Sequence, residues 1–293
     1  MVKQEADTVL TLTPKYAVWI GIGYLALVTQ IPFILTLYYS TLRWNLLYPG
    51  QPITCVWLNN YLKVFTETTF TKAISNTLLF TIAILGGSLL LGLALALLLH
   101  RPIPGKSLIR TLLMSPFLVM TSVVAIIWKN MLLDPTYGFV NNMNRMIGLP
   151  MIDLVGSHPM ATIILIGIWE WTPFMMLILN AAIESVPPDI VEAAAIDGAG
   201  NLAKFRYVIL PHLSKYFLIC ILLGAVMLLP LFGEIHLTTA GGPGSSTTNL
   251  TYLVFQKAFQ GYNIGLAAAN AVITVLITMV LATLLMKLFT REA

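Results

Sequence analysis

Six stretches of this chain carry almost no charge, and this feature most constrains what it can fold into. Residues 16–42, 73–100, 111–128, 216–233 and 258–286 contain no Asp, Glu, Lys or Arg, and 154–183 contains only Glu170. A helix crosses about 30 Å of hydrocarbon with about 20 mostly apolar residues, each rising about 1.5 Å. The gaps therefore predict an all-α integral membrane protein: a single transmembrane domain over 1–293, with six helices at about 16–42, 73–100, 108–131, 158–183, 215–237 and 262–288. Composition excludes the soluble alternative. Only 10% of residues are charged and 58% are hydrophobic, against about 25% charged in an ordinary soluble domain. The first span begins too late and runs too long for a signal-peptide core, so it is expected to stay in the mature protein. Two distant cysteines, Cys55 and Cys220, supply neither a disulfide framework nor a paired-thiol metal site.

The basic residues set the expected orientation. With the N-terminus inside, ten of sixteen fall on the cytoplasmic side: Lys3, Lys15, Arg101, Lys106, Arg110, Lys204, Arg206, Lys215, Lys287 and Arg291. The positive-inside rule then places both termini in the cytoplasm. Basic residues scattered singly form no stripe for a nucleic acid. Three loops remain outside, at about 43–71, 132–157 and a Gly-rich one at 238–260.

Pro32, Pro116, Pro173 and Pro230 fall inside four spans. Each removes a backbone donor and is expected to bend its helix, as a packing kink or as part of a moving bundle. Small residues recur in the second span (Gly86, Gly87, Gly92, Ala94, Ala96) and the sixth (Gly265, Ala267, Ala268, Ala269, Ala271), where helices can approach closely.

The connection 184–214 alternates apolar and charged residues at helical spacing around Ile190, Ala193, Ala194, Ala199 and Leu202. It predicts two short surface helices. Pro187 and Pro188 open the first, Gly198 and Gly200 end it, and Asn201 caps the second. Such a hairpin either meets a partner or rests on the bilayer surface.

Glu192-Ala193-Ala194, Gly198 six residues after the glutamate, then nine residues, Val208, one residue and Leu210-Pro211 together resemble the EAA signature of ABC importer permeases. Val208 stands where the family has Ile. Asn76-Thr77, Trp169-Glu170-Trp171-Thr172-Pro173-Phe174 and Gly241-Gly242-Pro243-Gly244 with Thr247 extend the resemblance to carbohydrate-uptake permeases of the maltose and glycerol-phosphate type. The Gly-Gly-Pro-Gly segment resembles the first of the two permease subunits in such systems. Phe232-Gly233-Glu234-Ile235 and Thr248-Asn249-Leu250 are similar to permeases for sugar alcohols such as mannitol and sorbitol.

The resemblance implies a multi-pass subunit of a prokaryotic inner membrane. It implies a second homologous permease, a cytoplasmic ATPase dimer that holds ATP and Mg, an extracytoplasmic solute-binding protein and surrounding lipid as partners. It also implies that Glu192, Ala193, Ala194, Asp197, Gly198, Val208, Leu210 and Pro211 form the ATPase-coupling element. The chain itself has no Gly-x-x-x-x-Gly-Lys-Ser/Thr loop, so no nucleotide cofactor, catalytic residue or metal is expected on it.

A carboxylate at membrane depth costs about 2.5–3.5 kcal/mol on insertion scales, so Glu170 and Glu234 are expected to face a cavity or a partner. Carbohydrate hydroxyls call for carboxylates, amides and aromatic faces, which makes Glu170, Trp171, Phe174, Asn180, Glu234 and Asn270 the candidate translocation residues. The alternatives are that each of these residues is paired structurally across a subunit interface, and that Glu170 and Glu234 serve a proton-coupled secondary carrier. His100, His158, His212 and His236 lack ligand spacing.

Overall fold

The computed structural model describes the backbone of residues 14–292 and the side chains of 18–287. Lys3, with the side chains of Lys15 and Arg291, lies outside the described residues. Helix α1 (Pro14–Ser40) leads into a small hairpin of β1 (Leu42–Arg43) and β2 (Thr54–Cys55), a minor strand pair that the helix-only expectation missed. Then follow α2 (Asn59–Thr66), α3 (Thr68–His100), α4 (Lys106–Leu118) and α5 (Thr121–Ile126), the last continuing as a wider π turn to Leu132. Short helices α6 (Phe139–Met146) and α7 (Leu154–Ser157) precede α8 (Pro159–Glu184). The remainder comprises α9 (Pro188–Ile196), α10 (Asn201–Lys204), α11 (Leu210–Leu228), α12 (Gly233–Thr238), α13 (Leu250–Phe255) and α14 (Ile264–Glu292).

Among the described residues, five helices are long and apolar enough to cross a membrane, and a bent pair, α4 with α5, makes a sixth if counted as one span. The chain is an all-α membrane protein. At its centre α3 packs along α8, and this is where small residues matter. A Cβ added at Gly87 would fall 2.4 Å from Ile168, one at Gly92 2.7 Å from Met175, and one at Gly167 2.6 Å from Ile84. In lipid, where apolar contact alone drives little association, such backbone approach is a main source of packing energy. Gly86 contributes none of this, since nothing lies within 4 Å of its Cβ position. Helix α1 stands apart, packing against α14 with its apolar side chains outward. Those side chains lie outside the described core.

Two spans depart from the sequence expectation. The third, expected as one helix over 108–131, is broken: α4 and α5 meet at 91°. Val119 and Met120 are both extended at the break (ψ 137° and 131°), whereas Pro116 still lies inside α4. The fifth, expected over 215–237, ends at Leu228. Pro230 offers no N–H to carry the ladder onward, and the chain restarts as α12 at Gly233. By contrast, Pro32 and Pro173 sit within continuous helices.

Candidate functional site

The two breaks meet. Helices α5 and α12 lie against each other, and both contact the middle of α8, where Glu170 sits. Thr121, the first residue of α5, donates from Oγ1 to Glu170 Oε1 at 2.8 Å. Glu234, the second residue of α12, brings its carboxyl next to that of Glu170. Both glutamates are buried, at 5% and 3% exposure, with their carboxyls close enough for one to hydrogen-bond the other. Glu234 thus belongs to a separate short helix after the break, not to the outer end of span five.

One turn along α8, Trp171 and Phe174 form a trio with Phe117 from α4. Phe117 stacks on Phe174 with ring centres 5.2 Å apart and meets Trp171 edge-on at 5.8 Å. All three rings are half-buried. The buried carboxyl pair and the three rings thus lie along the same stretch of α8. Phe117 and Thr121 were missed in the sequence. The helix break that brings Thr121 to Glu170 leaves no charge or spacing signal.

Two expected members of this group lie elsewhere. Asn180 is further along α8, where its amide donates to Glu184 Oε1 at 3.0 Å, and Glu184 in turn pairs with Lys106 at 3.5 Å. It belongs to the hairpin end of the bundle. Asn270 donates back to Leu266 in its own helix, at 2.9 Å. Each of these amides keeps a buried oxygen without a partner.

The hairpin 184–214 has the two expected short helices, neither with a fully buried residue. Helix α9 ends in a Schellman turn: Ala199 N–H bonds Ala194 C=O at 2.9 Å, Gly198 N–H bonds Ala195 C=O at 3.1 Å, and Gly198 has φ +82°. That left-handed geometry is why the position is glycine. Gly200, not Asn201, occupies the N-cap of α10, and Asn201 is its first residue. A π turn through Val208 carries α10 directly into α11 at Leu210-Pro211. Glu192, Ala193, Asp197 and Gly198 are exposed, Ala194 is half-buried, and Ile196 and Leu202 stand 86% and 78% exposed.

At the opposite end, the Gly-rich loop is fixed. Thr247, Thr248 and Asn249 are buried. Thr248 Oγ1 donates to Gly241 C=O at 3.1 Å, Thr247 Oγ1 to Gly242 C=O at 3.0 Å, and Asn76 Nδ2 to Thr248 C=O at 2.8 Å. Beside it a cavity of about 450 Å³ opens, lined by Lys129, Asp134, Asp153 and Thr238 among others. Asp134 there accepts from the Thr136 and Tyr137 N–H groups at 2.8 Å each, which holds its carboxyl below the usual aspartate range.

Residues 88–292 match the family model described as the inner membrane component of binding-protein-dependent transport systems. A probable ABC transporter permease protein of Sinorhizobium fredii is 33% identical over 90% of this chain and 85% of its own length. The trehalose/maltose transport system permease protein MalF of Thermococcus litoralis is 30% identical over 84% of this chain and 82% of its own. Among solved structures, a bacterial ABC transporter involved in import of the acidic polysaccharide alginate superposes with TM-score 0.80 at 21% identity, covering 94% of both chains. With the exposed EAA hairpin, the broken spans and these relatives together, the chain belongs to the binding-protein-dependent transport system inner membrane components.

Proposed function

We propose that this chain is one membrane-spanning subunit of an ATP-driven importer that carries a sugar or sugar alcohol into the cytoplasm by alternating access. The observation that carries the reading is the α9–α10 hairpin, which turns Glu192, Ala193, Ile196 and Leu202 outward at one end of the bundle. A left-handed Gly198 with nothing within 4 Å of its Cβ position leaves room there for a partner's groove. On this reading that end is cytoplasmic, ATP and Mg are held by a partner ATPase dimer, and a second homologous permease completes the path. A solute-binding protein delivers the substrate at the Gly-rich end.

Relatives named for trehalose, maltose and sn-glycerol-3-phosphate transport support a carbohydrate substrate. The Glu170, Glu234, Trp171 and Phe174 group supplies the acceptors and stacking faces for it. The resemblance around Phe232 to Ile235 and Thr248 to Leu250 favours a mannitol-like or sorbitol-like polyol. A proton-coupled carrier is disfavoured, since membership of a binding-protein-dependent family supplies another source of energy.

The test is uptake by proteoliposomes containing this chain, its partner permease, the ATPase and the binding protein, with labelled maltose, trehalose, sn-glycerol-3-phosphate, mannitol and sorbitol as the panel. Uptake of a panel member that needs ATP and every partner supports the reading. Uptake by this chain alone under a proton gradient contradicts it.

A further inference from the structure

The hairpin 184–214 joins the bundle by two unlike roots. On one side α10 runs through the π turn into α11 as one helical stretch, Asn201–Leu228. On the other, α8 stops at Glu184, and Pro187 and Pro188 offer no N–H groups to carry the helical ladder into α9. Helix α9 packs chiefly on α10, so a force applied to it is absorbed by bending at this proline step unless the step is tied to something stiff. Ser185, the C-cap of α8, supplies the tie. Its Oγ lies 2.8 Å from Ala182 C=O, 3.0 Å from His212 Nε2 and 3.1 Å from Tyr216 OH. A serine hydroxyl donates once and accepts twice. The Ala182 carbonyl can only accept, so it takes the one proton, and His212 and Tyr216 both donate into Oγ. The node is then saturated, with His212 carrying a proton on Nε2. His212 and Tyr216 lie one turn apart near the start of α11, their rings 5.7 Å apart. Between them, Leu213 belongs to one buried cluster with Ala182 and Ile183. Apolar packing thus seats the last turn of α8 on α11, and the Ser185 node extends that seat to the residue where the helix stops.

We infer that Ser185, His212 and Tyr216 are positioning residues for transport: they clamp the proline step to α11, so that α9 and α10 move as one lever and a displacement of the hairpin reaches the spans. This rests on the reading of the hairpin as the ATPase-coupling element. The clamp and the docking face are separate parts of the hairpin. Ser185 precedes α9, and His212 and Tyr216 follow the π turn, so none of the three belongs to the exposed stretch from Glu192 to Gly198. Loss of the clamp therefore leaves docking in place and removes transmission.

The experiment uses the complete transporter in proteoliposomes, with the panel member that the parent complex carries. It reads ATPase co-purification, basal hydrolysis and substrate moved per ATP hydrolysed. Ser185→Ala removes the acceptor of both donors and should lower that ratio about tenfold, the shift expected from losing one or two ordinary hydrogen bonds. Co-purification and basal hydrolysis should stay within about twofold, because the exposed face of α9 is untouched. Ser185→Thr, which keeps the hydroxyl, should transport like the parent. Tyr216→Phe removes one donor and should lower the ratio by less; in the Ser185→Ala background it should add little, since its partner is already gone. Threonine failing as badly as alanine, Ser185→Ala shedding the ATPase, or Tyr216→Phe acting in full in that background overturns the assignment. The two levels separate cleanly. If Gly198→Asp leaves the ATPase bound and the ratio unchanged, the coupling reading falls and the clamp with it; if Gly198→Asp uncouples while Ser185→Ala transports like the parent, the clamp alone falls.

Discussion

The Asn76 side-chain amide donates to the Thr248 carbonyl at 2.8 Å and to that of Ser245 at 3.2 Å, fastening the Gly-rich loop to a helix that begins early in the chain. Thr77 beside it accepts from Leu250 N–H at 3.0 Å. Two adjacent polar residues on α3 thus hold a loop whose composition suggests freedom. Asn76→Ala should lower stability by about 1–3 kcal/mol, because the buried Thr248 carbonyl and the half-buried Ser245 carbonyl lose a donor. Thermal unfolding of the purified complex in detergent measures this, and faster proteolysis within 239–249 should accompany it.

The α3–α8 contact gives a paired prediction. Gly92→Val places atoms where Met175 Cβ (2.7 Å) and Met176 N (2.8 Å) already stand. The helices must separate, at a cost of about 1–3 kcal/mol or more. Gly86→Ala, two turns away and with open space around it, should change stability by no more than about 1 kcal/mol. Equal effects of the two in thermal unfolding would contradict the packing described.

Acid should loosen the loop that follows α5. Asp134 has a carboxyl held low by the Thr136 and Tyr137 N–H groups. A depressed folded-state value means that its contribution is present above the unfolded-state value of about 3.9 and is lost as pH falls through the lower folded one. An infrared titration, taken as the parent minus Asp134→Asn difference, should place this carboxylate's midpoint below that of a free aspartate. A midpoint at or above it contradicts the turn geometry.

Much of this architecture was readable from charge alone. Lys15, Lys72, Arg101, Glu184 and Lys287 bracket α1, α3, α8 and α14 closely, because a charged side chain seldom sits in hydrocarbon. The same signal is blind to the two breaks. Val119, Met120 and Leu229 to Phe232 are as apolar as the helices they interrupt, so hydropathy runs straight through a 91° turn. Pro230 stands just past the end of α11, and reading it as a kink understated what a missing donor does there, whereas Pro116 lies inside α4 and does not mark the break itself. The pairing of Glu170 with Glu234 follows from those breaks and could not be seen without them. Gly198 was the opposite case: local turn chemistry required its left-handed φ whatever the tertiary fold. The anchoring of the Gly-rich loop could not be read from its own residues, because it comes from Asn76, distant in sequence.

The central claim is that the α9–α10 hairpin couples this chain to an ATPase, and Gly198→Asp tests it most directly. The chain itself has room for the side chain, since no atom lies within 4 Å of the Cβ position. Any collision must therefore come from the partner, apart from the modest strain of a non-glycine residue at φ +82°. Glu192→Ala serves as the mild comparison, because an exposed ion pair is worth about 1 kcal/mol or less. The measurement is ATPase co-purification with each variant, together with hydrolysis stimulated by the loaded binding protein. The account predicts that Gly198→Asp inserts normally, retains little ATPase and loses stimulation, while Glu192→Ala keeps most of both; a Gly198→Asp chain that co-purifies and is stimulated like the parent would contradict it.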